Sequence, residues 1–293
     1  MKVVRQSPCK INLLLNILRR REDGFHELET VMHPVALHDE LEFAETAGGI
    51  VIEGNHPDLR SDASNLIYRA AESFLQTARI ESGVFIRHEK RLPIAAGLAG
   101  GSANAATTLR GLNELFGQPL TAEQLDGIAA SHGSDINFFL QDRPALATGR
   151  GEHIEPLDAL PALAGKGLFL VNPGFGIPTP WAFKQLAEHP EAITGDATRG
   201  RALIAALQGP DLAGAERCFF NSLEAPVFPK YPLLAIYRDF CRENGALVNL
   251  MSGSGATVFA LTETPATAVE LCDRFQARFG EVPWCRALPL ACE

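Results

Sequence analysis

The sequence lacks the long apolar runs, paired cysteines and basic surplus that would place it in several large protein classes. Apolar stretches such as Ile94–Leu98 and Leu168–Val171 fall far short of the ~18 residues that a membrane span needs. Its six cysteines (Cys9, Cys218, Cys241, Cys272, Cys285 and Cys292) form no CxxC pair, and only Cys9 precedes residue 218. That is neither a disulfide framework nor a zinc pattern, and a reducing cytoplasm is the expected setting. Lys and Arg number 26 against 35 Asp and Glu, a formal net charge of −9, which argues against a protein that coats nucleic acid. The common phosphate and kinase signatures are missing too. No lysine follows Gly100 or Gly101 to complete GxxxxGK[ST], Ala99 replaces the middle glycine of GxGxxG, and HRD, DFG and HExxH do not occur. His132 and Asp135 stand three apart with no further ligand nearby, so a structural transition-metal site is not expected.

What is there is an ordinary globular chain. Its 293 residues, 46% apolar and 21% charged, leave room for two domains and exclude disorder, collagen and coiled coil. Residues 1–21 carry Lys2, Arg5, Lys10, Arg19, Arg20 and Arg21 and no acid. The apolar run that follows Pro8 is broken by Asn12 and Asn16 and ends in arginines, so the segment reads as part of the fold rather than as a leader. Strands are expected at Val3–Gln6, Asn12–Leu18, His26–Val35, Glu40–Ala44 and Val84–His88. Asn65 is placed to cap a helix, Thr121 with Gln124 resembles a capping box, and Gly133 ends that second helix. Between them lies a helix expected to bury Ala106, Leu109, Leu112 and Phe116, closed by Gly117 and Pro119. Pro, Gly and Ala concentrate over residues 156–167, which sets the expected domains at 1–160 and 161–293. The second half reads as strands at Leu168–Asn172, Leu247–Met251 and Val258–Leu261. Its helices are expected near Trp181–Glu188, Arg201–Leu207, Leu233–Arg242 and Ala266–Phe279, before a last short strand.

The segment with the most chemistry runs Pro93-Ile94-Ala95-Ala96-Gly97-Leu98-Ala99-Gly100-Gly101-Ser102-Ala103-Asn104. Small residues before a helix let backbone N–H groups approach a ligand, and the helix start adds unpaired donors and partial positive charge. Phosphate is the natural guest, and Ser102 can offer a hydroxyl to it or to Mg2+. The alternative is tight packing with a capping serine. Asp135, after Gly133 and before an apolar cluster, reads on local grounds as a cap for a helix over Ile136–Gln141. Lys10 reads equally as a surface lysine on an edge strand, and Phe183 as core.

Four segments, in order, resemble the GHMP kinase superfamily, which includes galactokinase and the homoserine, mevalonate and phosphomevalonate kinases. They are Ser7-Pro8-Cys9-Lys10-Ile11-Asn12-Leu13, Arg21-Glu22-Asp23-Gly24-Phe25-His26-Glu27-Leu28, the loop Pro93–Asn104, and Met251-Ser252-Gly253-Ser254-Gly255. The Gly-Gly-Ser-x-Asn-Ala-Ala ending resembles most the branch that phosphorylates the 2-hydroxyl of a cytidylyl-linked methylerythritol in non-mevalonate isoprenoid synthesis. Ala99, Ala103 and Phe25 depart from the commoner Gly, Ser and Tyr at those places. The resemblance implies an α+β, two-domain fold, its first domain like domain 2 of ribosomal protein S5, with the active site in the interdomain cleft. It implies ATP and Mg2+ as cofactors, a small cytidylyl substrate, and no nucleic-acid or membrane partner.

The same resemblance assigns roles. Lys10 and Asp135 become the catalytic pair. Pro93, Ala95, Ala96, Gly97, Leu98, Ala99, Gly100, Gly101, Ser102, Ala103 and Asn104 bind ATP, and Gly253, Ser254 and Gly255 form a third glycine motif. Asn12, Phe25, His26 and Phe183 hold the substrate, the aromatics on either side of cytosine. Another kinase of the superfamily, such as one for homoserine, or a non-catalytic nucleotide-binding protein on this fold, are the rival expectations.

Overall fold

The computed structural model describes residues 2–212, 214–282 and 284–290, so Cys292 lies outside the described residues. Contacts divide this α+β chain into two compact units, neither continuous in sequence. One takes the chain up to Cys9 with Ala36–Ile94 and Ala99–Asp142; the other takes Lys10–Val35, Ala95–Leu98 and the chain from Arg143 on. The division is not a single cut at residue 160, because two long strands each feed both units.

Those strands are β1 (Lys2–Arg20) and β2 (His26–Thr46), where the sequence suggests four shorter ones. β1 runs straight through Pro8. Its parallel neighbour registers only with Leu14 and Leu15, so that ladder does not require the donor that proline lacks. β2 runs on through Ala36–Asp39, where the sequence suggests a break, and it changes partner along its length, as the registers below show.

In the first unit β3 (Ile50–Gly54), helix α1 (Leu66–Ala78) and β4 (Gly83–Glu89) follow. β4 lies antiparallel to Glu40–Thr46 of β2 and parallel to β3. Asn65 caps α1 by accepting from the N–H of Ile67 at 3.0 Å. Helix α2 (Gly100–Leu115) lies close on this sheet: a Cβ at Gly111 would fall 2.3 Å from the Phe43 ring, so only glycine fits there. α2 buries Ala106, Leu109 and Leu112 as expected, whereas Phe116 stands at the helix end, half-buried and stacked on Phe74 at 6.3 Å. Helix α3 (Ala122–His132) starts with the Thr121/Gln124 capping box and stops at Gly133.

The second unit begins its own segments with the antiparallel pair β5 (Ala145–Gly149) and β6 (His153–Pro156), and β5 pairs with Leu28–Met32 of β2. After β7 (Gly167–Asn172) come helices α4 (Thr179–Gln185) and α5 (Arg199–Leu207). The two-residue β8 (Phe220–Asn221) is the parallel neighbour of β1. Helices α6 (Glu224–Lys230) and α7 (Pro232–Glu243) lead to β9 (Val248–Met251), β10 (Val258–Thr262), α8 (Pro265–Phe279) and β11 (Trp284–Pro289). β7, β9, β10 and β11 form an antiparallel sheet in the order β11-β7-β10-β9. Phe275 of α8 fills its core, 5.4 Å from the Phe169 ring of β7 and 4.8 Å from Tyr237 of α7. Among the described residues no helix is long and apolar enough to cross a membrane.

Candidate active site

The glycine-rich loop adopts conformations that few side chains tolerate. Ala95, Gly97 and Ala99 have φ of 50°, 77° and 54°. For alanine the left-handed region carries a steric cost, which marks a segment held by its surroundings. Gly97 has no alternative, since a Cβ there would lie 2.0 Å from the carbonyl oxygen of Ser252. Ala99 is the N-cap of α2 and offers no side-chain bond to the helix. The first N–H groups of α2 therefore have no partner in their own helix. Gly101 is exposed there, and Ser102 is half-buried with no side-chain hydrogen bond among the described residues. Ala103 is fully buried.

Asn104 points the other way. It is 2% exposed, and its amide nitrogen lies 3.0 Å from both Asp39 Oδ2 and His88 Nε2. Asp39 itself is fully buried. It accepts from Lys90 Nζ at 2.5 Å and from the N–H groups of Arg91 and Leu92 at 2.8 and 2.9 Å. Burial raises its pKa, but His88, the Lys90 ammonium and the Arg91 N–H together outweigh that and hold the carboxyl well below its usual range. A Cβ on Gly100 would lie 3.2 Å from Lys90 Nζ, so this ionic cluster sits beside the start of α2. Sequence reasoning missed Asp39, His88 and Lys90. The one local signal, for His88 and Lys90, is the charged run His88-Glu89-Lys90-Arg91 leading into the loop; Asp39 has none.

Lys10 is not a surface lysine. It is 3% exposed, and its ammonium donates to Asn12 Oδ1 at 2.5 Å and to the Gly97 carbonyl at 2.8 Å. Two residues apart on a strand means one face, and Asn12 continues the line by donating to Thr30 Oγ1 at 2.8 Å. Thr30 in turn donates to the carbonyl of Leu14 at 2.5 Å. The Gly97 carbonyl also accepts from Ser252 Oγ at 2.9 Å. A Cβ on Gly253 would be 3.1 Å from that same carbonyl and 3.4 Å from Lys10 Nζ. The structure thus brings Lys10, Asn12, Gly97 and the third glycine motif together. Ser254 Oγ lies 2.9 Å from Thr179 Oγ1 at the start of α4, the helix that carries Phe183.

Asp135 stands half-buried between Gly133 and a short 3-10 helix at Asn137–Leu140. It does not cap that helix, which has Ile136 at its N-cap and no side-chain cap bond; this corrects the local reading. His132 lies 2.8 Å from Ser73 Oγ.

Phe25 is 55% exposed on the turn before β2, too open to be core. The Arg150 guanidinium lies over its ring, 4.8 Å from the centroid. The turn is fixed by the Arg21 N–H to the Phe25 carbonyl at 2.8 Å and by the Phe25 N–H to Asp23 Oδ1 at 3.1 Å. The His26 ring sits 5.5 Å from that of Phe183. Burial, then the nearby Arg20 charge, lowers the His26 pKa and favours the neutral imidazole. Phe183 is half-buried against the apolar core of the second unit.

Known proteins match along this whole arrangement. The family model for the GHMP kinases N terminal domain matches residues 65–143, and that for the GHMP kinases C terminal domain matches residues 202–281. A 4-diphosphocytidyl-2-C-methyl-D-erythritol kinase of Synechococcus sp. (strain JA-3-3Ab) is 40% identical over 283 residues, covering 94% of this chain and 89% of that protein. The kinase of that name from Pelotomaculum thermopropionicum is 39% identical, with 94% of each chain covered. A crystal structure of 4-(cytidine 5'-diphospho)-2C-methyl-D-erythritol kinase superposes with a TM-score of 0.80 at 36% identity, covering 97% of each chain. A homoserine kinase from Cytophaga hutchinsonii shares the fold at a TM-score of 0.76 but only 18% identity, over 98% of this chain and 93% of that one. Two domain models in sequence order and near-complete alignment to these relatives establish that the chain belongs to the GHMP kinase family, in its 4-diphosphocytidyl-2-C-methyl-D-erythritol kinase branch.

Proposed function

We propose that this chain transfers the γ-phosphoryl group of ATP to the 2-hydroxyl of 4-diphosphocytidyl-2-C-methyl-D-erythritol, as the names of its relatives indicate for them. The observation that carries the chemistry is the buried Lys10 ammonium, tied at once to Asn12 and to the carbonyl of Gly97 in the glycine-rich loop. Phosphoryl transfer needs an oriented hydroxyl, an in-line γ-phosphate and neutralised charge rather than covalent help from the protein. Asp135 accepts the proton of the 2-hydroxyl as its oxygen bonds to the γ-phosphorus and the bond to the leaving ADP oxygen breaks. Lys10 stabilises the charge growing on the alkoxide. The loop from Pro93 to Ser102 receives the phosphates through backbone donors at the start of α2.

Phe25 and Phe183 hold cytosine between them, with His26 reading its edge and Asn12 bonding the sugar alcohol. The exposure of Phe25 and the neutral His26 ring beside Phe183 support this assignment. Mg2+ accompanies the nucleotide, and when bound it neutralises charge on the phosphates. The Ser102 hydroxyl, without a side-chain partner of its own among the described residues, suits an ion carried mostly by phosphate oxygens and water.

The deciding assay offers ATP with the cytidylyl alcohol, homoserine and mevalonate in parallel. Turnover of the cytidylyl alcohol alone, competed by CMP or CDP, is expected. Turnover of homoserine without competition by cytidine nucleotides would overturn the substrate assignment and leave only a kinase.

A further inference from the structure

The Gly97 carbonyl is a hub. It accepts from Lys10 Nζ at 2.8 Å and from Ser252 Oγ at 2.9 Å, so the turn after β9 holds one of the groups to which the ammonium donates, Asn12 being another. That turn is fixed from behind by residues that no catalytic role requires. Asn221 of β8 is 3% exposed and uses all of its amide. Its nitrogen donates to the carbonyls of Met251 at 2.7 Å and Gly253 at 2.8 Å, while its oxygen accepts from the Leu223 N–H at 2.9 Å. Glu224 of α6 accepts from the Met251 N–H at 2.7 Å and from Arg238 Nη1 at 2.8 Å.

β8 also pairs with the strand that carries the lysine, Leu15 opposite Asn221, and the Ser222 N–H donates to the Leu15 carbonyl at 2.9 Å. A two-residue strand thus holds both β1 and the glycine turn. We infer that Asn221 is a positioning residue for phosphoryl transfer: its amide fixes the turn at Met251–Gly253, which fixes the Gly97 carbonyl and with it the Lys10 ammonium. This rests on Lys10 being the catalytic lysine proposed above.

Only a carboxamide of this length supplies two diverging donors and one acceptor. Aspartate has the same shape but no donor, and sets negative charge against two carbonyl oxygens. Asn221→Ala and Asn221→Asp, checked for a cooperative thermal transition, should each lower kcat about 10–100-fold, the scale of loss when a catalytic group is slightly misplaced. KM for ATP and for the cytidylyl alcohol should stay within about threefold, because Asn221 is buried behind the turn with its amide bonded to the protein. Ser252→Ala removes the next bond in the same path. The double variant Asn221→Ala/Ser252→Ala should therefore be no slower than the slower single variant, whereas independent damage would multiply.

A kcat near that of the wild type, a loss confined to KM, or multiplying effects would each overturn the positioning role. Where neither Asn221 variant folds, Ser252→Ala alone decides: unchanged kcat breaks the path and overturns the inference. Wild-type turnover is measured alongside. An inactive wild type overturns the kinase assignment and the positioning role together, while an active wild type with unaffected variants overturns only the latter.

Discussion

Burying an ammonium costs several kcal/mol unless partners replace its water, and Lys10 at 3% exposure has such partners in Asn12 and Gly97. Those partners place the ammonium at the edge of the glycine-rich loop, which is the ground for proposing it as the catalytic lysine. Asp135 is different: half-buried, with no capping duty, and free of the structural explanation that its sequence context suggests. Asp135→Asn keeps its shape and removes its basicity, so kcat should fall ~10²–10⁴-fold with the unfolding transition unchanged. Near-normal turnover would remove Asp135 from the proton transfer. Phe25 offers a test of substrate rather than chemistry. At 55% exposed it contributes little to the core, so Phe25→Ala should fold as well as the wild type. It should lose base stacking worth ~1–3 kcal/mol, or roughly 5–150-fold in affinity for the cytidylyl alcohol, with ATP affinity hardly moved. Calorimetry with CDP reads this directly, and undiminished CDP binding would leave Phe25 as a turn residue beneath Arg150.

At the scale of elements, the start of α2 separates packing from phosphate binding. Gly101 is exposed, and a Cβ there would meet nothing closer than Leu66 at 3.7 Å. Gly101→Ala should therefore leave stability unchanged or slightly raised, alanine being the better helix former. It should weaken ATP by roughly tenfold or more if N–H groups there approach phosphate. Unchanged ATP affinity would make the loop a packing element. Helices were legible because their ends carry chemistry in the sequence: Asn65 and Thr121 with Gln124 cap as their types imply. The Lys10–Asn12 face was legible from the two-residue period of a strand. Strand lengths were not, since Pro8 and the stretch Ala36–Asp39 read as breaks until the partners of β1 and β2 are known. Nor were β5 and β6, too short to show a pattern, or the cluster of Asp39, His88, Lys90 and Asn104, whose members come from three distant segments.

At the scale of the whole molecule, stability should fall on mild acidification, and one histidine should dominate the fall. His33 is 1% exposed, and its Nδ1 lies 2.7 Å from the carbonyl of Pro34, so the neutral ring donates there. Burial holds its pKa down at about 4, against a weaker upward pull from that carbonyl. In the unfolded chain it titrates near the ordinary value of 6.5. Below that pH the unfolded state takes up a proton that the folded state refuses, so stability present above about 6.5 drains away until about 4, where the folded ring also protonates. A gap of this size corresponds to about 3 kcal/mol. Burial also lowers His26, His38 and His132, less strongly, in the same sense. Asp39 adds a later loss with the same sign, as pH falls below the ordinary aspartate value of 3.8 toward its depressed one. Urea unfolding at steps from pH 7.5 to 4.5 should show the decline, and His33→Gln should lower the stability at pH 7.5 yet flatten the slope below 6.5. Equal slopes in the two proteins would mean that the His33 ring is charged in the fold, with its proton accommodated rather than refused.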